Sequence, residues 1–255
     1  MDLLVALRAL TLTGWIALAI GTLYIVVVYG RRLSPAHRGA WWTVAVRHCV
    51  VALTTVFVEA TSVARAVQPA SSLALAGKAL YNPAYLLNAT VSAMLPFVLI
   101  ALLAYRELGR RAGGLTAAGV ALFAICAVAA GAPWDWSVLM AWTQGFAFLE
   151  IAGYLILGGL MVLGYLRRMD PYLLGILVIT ALYTVLLPIQ AEFFKLVGRR
   201  ASNAIWHLNQ FLQLVVVVTA LVAVLAYIAR LRNRRPTDLV AIGADPGTFP
   251  GSSGQ

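Results

Sequence analysis

Two carboxylates, an imidazole and a set of amides lie inside stretches that are otherwise apolar. Glu59 and Glu150 are each flanked by long hydrophobic sequence, and "SNAIWHLNQFLQLVVVV" (residues 202–218) carries Asn203, His207, Asn209, Gln210 and Gln213 before it becomes Leu and Val. An ionised group is costly in hydrocarbon, so such a carboxyl is protonated, paired or functional. Carboxylates, amides and an imidazole at graded depths suit binding of a small polar or cationic solute, or passage of a proton.

Helical spacing sorts these residues into faces. Asn203, His207, Gln210 and Gln213 step by four, three and three, which predicts one stripe, with Phe211, Leu212 and Val215 opposite. The same reading aligns His48, Thr55, Glu59 and Ser62, then Tyr81, Tyr85, Asn88 and Ser92. It also aligns Thr143, Glu150 and Tyr154, and Thr180, Tyr183 and Gln190. At about 1.5 Å per residue, Glu59 lies about 10 Å below one membrane edge and His207 about 5 Å. Glu150 and Gln213 come out about 15–18 Å down by the same rise. The expectation is an outward-facing polar pocket that narrows at Glu150. Its candidate ligand- or ion-binding residues are Glu59, Glu150, His207, Gln210, Gln213, Asn88, Tyr154 and Gln190.

Other chemistries fit less well. His48 and His207 differ in depth by about 15 Å, too far apart to share one haem iron. A zinc hydrolase would want His residues close together, yet the residue four after His207 is Phe211. A retinal protein needs a lysine deep in its last helix, and Lys195 falls in a connection instead. No phosphate-binding loop, CxxC or HExxH pattern occurs; no metal or cofactor is expected, and the sequence assigns no catalytic residue. Cys49 and Cys126 read as small apolar filler.

The elements that must position these groups follow from composition. The chain is 62% hydrophobic and 11% charged, with mean hydropathy +0.89, whereas soluble domains carry about 25% charged residues. Seven apolar runs are long enough for a roughly 30 Å hydrocarbon core: 9–30, 41–67, 81–105, 115–132, 137–166, 172–194 and 203–229. The predicted fold is an all-α integral membrane bundle of seven transmembrane helices over residues 1–230. Spans one and four are poor in polar residues and read as peripheral or tightly packed. Trp41 and Trp42 read as one aromatic belt, and Trp134 and Trp136 as the other.

Net charge +10 sorts by side rather than pointing to nucleic acid. Alternate connections hold Arg31, Arg32 and Arg38, then Arg106, Arg110 and Arg111, then Arg167 and Arg168, and the tail adds four more arginines. The other side has Arg8, Lys78, Lys195, Arg199 and Arg200. The positive-inside rule then puts the N-terminus outside and the C-terminus in the cytoplasm. Residues 231–255 read as a basic, then disordered, cytoplasmic tail, with Arg230, Arg232, Arg234 and Arg235 on anionic lipid. Arg in place of Lys, and abundant Ala, Gly and Val, suit GC-rich coding and a prokaryotic plasma membrane.

An echo of "YGRRLSP" (29–35) in "YLRRMDP" (165–171) would suit two parallel three-helix halves joined by one extra helix. Transport or binding of a small solute or protons is the leading functional reading. Two others use the same residues: a ligand-sensing or accessory subunit working with a membrane-protein partner or as a homo-oligomer, and a membrane-embedded acid–base enzyme using His207 and Glu59.

Overall fold

The structure is a computed structural model that describes residues 3–105, 107–129, 136–197 and 202–233. Within these it leaves out the side chains of 108, 126–127, 129, 136–140, 187–188, 190–197 and 202–206. The described residues form seven α-helices and no strand: α1 (Leu3–Val28), α2 (Pro35–Val67), α3 (Ser72–Leu103), α4 (Glu107–Ala129), α5 (Trp136–Val162), α6 (Pro171–Val197) and α7 (Ser202–Asn233). Five of them, α1, α2, α3, α5 and α7, contain stretches long and apolar enough to cross a membrane. Their outer surfaces carry Leu53, Leu155 and Val162, each more than two-thirds exposed. Apolar surface on that scale suits lipid rather than water.

Local chemistry sets the helix ends, and the ends differ from the apolar runs. Ser71 accepts the Ala74 N–H at 3.3 Å and starts α3 nine residues before Tyr81, where the apolar run begins. Ser34 and Asp170 cap α2 and α6, each followed by proline at the first helical position. Gly164 stops α5 at Val162, short of the expected residue 166. It takes φ of +71°, the Tyr165 N–H reaches Leu160 O at 2.9 Å, and the Gly164 N–H reaches Met161 O at 3.1 Å. Those two bonds are a Schellman close, which glycine adopts without a steric penalty.

The helices form a ring. α1 packs on α2, α2 on α3, α3 on α5, α5 on α6, α6 on α7, and α7 back on α1. α4 packs on α3 from outside, as its sparse polar content predicts. Span one does not share that peripheral place: α1 closes the ring, because its glycines admit α7. An added Cβ at Gly14 would lie 2.4 Å from Val217 Cγ1, and one at Gly21 would lie 2.8 Å from Val224 Cγ1. Small residues at such a seam let two backbones approach closely.

The start of α2 meets the α5–α6 connection, since His37 Nε2 lies 2.9 Å from Arg168 O. Nearby, the Arg167 N–H donates to Leu103 O at 3.0 Å, and the Tyr105 hydroxyl donates to Gly164 O.

Trp41 is a correction. It is fully buried and stacked on Tyr227, centroids 4.9 Å apart and planes at 10°, so of the two expected belt residues only Trp42 is exposed. Trp134 lies outside the described residues, as do the Trp136 side chain and residues 234–255 of the tail.

Candidate functional site

All six ring helices contribute to one cavity of about 370 Å³. α1 brings Arg8, Thr11 and Trp15 at spacings of three and four, so they share a face. α2 brings Arg47, Val51, Thr54, Val58 and Glu59 along more than three turns, which makes it the long wall. α3 adds Tyr85, Asn88 and Ser92, and α5 adds Thr143, Gln144 and Glu150. Thr180, Tyr183 and Thr184 of α6 and Asn209, Gln210 and Gln213 of α7 complete it. The lining comes from the first half of α1 and the latter part of α2, which meet at the same end of the bundle.

Exposure falls from the entrance to the base. The side chains of Arg8 and Glu59 are 39% and 26% exposed, and they pair: Arg8 Nη2 is 2.8 Å from Glu59 Oε1, and Arg8 Nε donates to the same oxygen at 2.9 Å. Deeper in, Arg47 and Glu150 are 7% and 5% exposed. Arg47 lies about 18 Å further along α2 than Glu59 by helical rise, with its guanidinium carbon 6.0 Å from the Trp15 ring centroid.

The deep charges are near enough to act on each other, yet no ion-pair contact within 4 Å joins them. Glu150 Oε1, Arg47 Nε and Thr11 Oγ1 have no hydrogen-bond partner. The Tyr154 and Thr184 hydroxyls lie beside Glu150, but Thr184 donates to Thr180 O at 3.0 Å and the Tyr154 hydroxyl is also unpartnered. Buried polar atoms are normally bonded, and an uncompensated buried ion costs several kcal/mol, on the order of 3–5 for a broken pair. On the α6–α7 wall, the Tyr183 hydroxyl donates to Asn209 Oδ1 at 3.2 Å.

Of the eight residues expected from sequence, Glu59, Glu150, Asn88, Gln210 and Gln213 meet at this cavity. Tyr154 lies behind Glu150, His207 is outside the lining, and the Gln190 side chain is outside the described residues. The face of α7 is rotated relative to the predicted stripe. Each residue turns the helix by about 100°, so steps of three drift around it: Asn209, Gln210, Gln213 and Val216 line the cavity and His207 does not, while the Asn203 side chain lies outside the described residues. Phe211 and Val215 are exposed, as expected of the outer side.

Arg8 and Arg47 are the residues that sequence reasoning missed. Arg8 belongs to α1, one turn further into the membrane element than the apolar run suggests. Arg47 carried the same signal as Glu59, a charge within a long apolar helix, and both line the cavity. His48 beside it is fully buried, 6.1 Å from Trp15, and off the cavity.

Arg65 donates from Nε to Thr61 O at 3.3 Å and covers the Tyr81 ring at 5.5 Å, so it is not the partner of Glu59. No group of three or more His, Cys, Asp or Glu converges among the described residues. Comparison with protein families, with characterised proteins and with solved structures returns no match to this chain.

Proposed function

We propose that this chain is a seven-span membrane protein whose ring of six helices encloses a site for a small polar solute or a proton. α4 and α6 complete the seven crossings. The entrance at Arg8 and Glu59 faces outside, and the C-terminus is cytoplasmic, in a prokaryotic plasma membrane. Arg230 and Arg232, with Arg234 and Arg235 beyond them, contact anionic headgroups.

One observation carries the reading. Two opposite charges, each more than nine-tenths buried, face one cavity without completing their hydrogen bonds. Gradation from a half-open ion pair to a closed base fits entry from a single side. The volume sits at the small end of the roughly 300–1,000 Å³ typical of small-molecule sites.

Glu150→Gln tests it. The substitution keeps shape and removes charge, so melting temperature in detergent should hold or rise. Proton flux into proteoliposomes loaded with a pH-sensitive dye, driven by a potassium diffusion potential, should fall to the protein-free level. Wild-type flux by Glu150→Gln at every pH would remove the carboxylate from the mechanism and favour the sensing-subunit reading.

A further inference from the structure

The charges at the entrance and at the base differ in what they lack. Arg8 and Glu59 satisfy each other through two contacts to one oxygen. Arg47 Nε and Glu150 Oε1 are both buried and have no hydrogen-bond partner. They stand on α2 and α5, which α3 separates in the ring, and no ion-pair contact closes the gap between them. The base of the cavity therefore presents a guanidinium on one side and a carboxyl group on another, each with an unmet hydrogen-bonding atom.

Ligand classes can be ranked on that geometry. A monocation would satisfy Glu150 but be repelled by Arg47, whose burial leaves little solvent to screen it. A monoanion would do the reverse. A neutral polyol would offer hydrogen bonds and leave both formal charges uncompensated. A molecule that carries both charges close together satisfies both poles, and a guanidinium binds a carboxylate through a two-pronged fork. We propose that the solute is a small zwitterion of the amino-acid class, its carboxylate on Arg47 and its ammonium on Glu150. This rests on the reading of the cavity as a solute site. Asn209, Gln213 and Tyr183 supply neutral polar groups around it, and Val51 and Ala147 leave room for a short side chain.

The test is calorimetric titration of the purified full-length protein at neutral pH with each of the twenty protein amino acids. The best binder is then compared with its deaminated acid and its decarboxylated amine, each of which keeps one charge. At least one amino acid should bind, and both single-charge counterparts should bind about 30-fold more weakly or worse, the scale of a lost buried charge partner. Arg47→Gln and Glu150→Gln should each cause a similar loss. Arg47→Lys keeps the charge without the fork and should weaken binding by less, which covers the case in which Arg47→Gln fails to fold.

An amine that binds as tightly as its parent amino acid, unaffected by Arg47→Lys, would overturn the zwitterion and leave a cation site. Equal binding of the deaminated acid would overturn it in favour of an anion site. If no amino acid binds, the zwitterion is wrong, and the proton-flux result with Glu150→Gln decides the broader reading independently.

Discussion

At the scale of single residues, the two charge pairs respond differently to mutation because solvent reaches only one of them. Arg8 and Glu59 are partly exposed, so their pairing is worth about 0–1 kcal/mol. A double-mutant cycle of Arg8→Gln and Glu59→Gln, read by unfolding in detergent, should return a coupling of that size. A coupling several times larger would mean that the entrance is drier than its exposure indicates. Asp170, outside the helices, gives a pH-dependent case. Burial raises its carboxyl above the ordinary value, while the Tyr172 N–H, Arg230 and His37 pull it partly back. A raised value in the folded state favours the protonated form. The associated stability is therefore full below the ordinary aspartate value of about 3.9, and is lost as pH climbs through the raised value. Asp170→Asn keeps an acceptor for Tyr172, so it should melt at or above wild type at neutral pH and flatten the acid-side slope. Ser34→Ala, which removes the cap of α2 and the Ser34 Oγ–His37 Nδ1 contact at 2.7 Å, should cost about 1 kcal/mol.

Among the elements, the α1–α7 seam is the most constrained. Gly14 and Gly21 lie seven residues apart and meet Val217 and Val224, also seven apart and both fully buried. β-branched valine cannot swing aside easily. Gly21→Leu should therefore lower stability by about 1–3 kcal/mol or more. Gly159→Ala on α5, where an added Cβ meets nothing within 4 Å, should be neutral or gain a few tenths. Comparable melting of the two variants would show that the seam is looser than its spacing. The helices themselves were legible in the sequence, because apolar runs announce membrane elements. Their ends were not, since Ser71 and Gly164 act through single hydrogen bonds that hydropathy does not register. The faces of α3, α5 and α6 were largely legible from spacing. Those of α2 and α7 were legible in part: Thr55, Glu59, Gln210 and Gln213 line the cavity, whereas His48, Ser62 and His207 do not, and on α7 Asn209 bonds Tyr183 of α6 instead.

For the whole molecule, the proposed orientation makes a direct prediction. In a background lacking Cys49 and Cys126, Ser72→Cys should react with an impermeant maleimide added outside, and Ser34→Cys only after the membrane is opened. The opposite pattern would invert the entrance. The ring also has a consequence for how the protein is made. Its last wall, α7, seats against its first, α1, and about 200 residues of translation separate them, roughly 10–40 s at 5–20 residues per second. During that interval the nascent chain holds Arg47 in a groove that is still open to lipid or to the insertion machinery. Arg8 and Glu59 are spared this, because they lie on the first hairpin and can neutralise each other as soon as α2 emerges. A chain that stalls before Gln213 would leave the ring open on its α7 side, with the Arg47 guanidinium lining the gap.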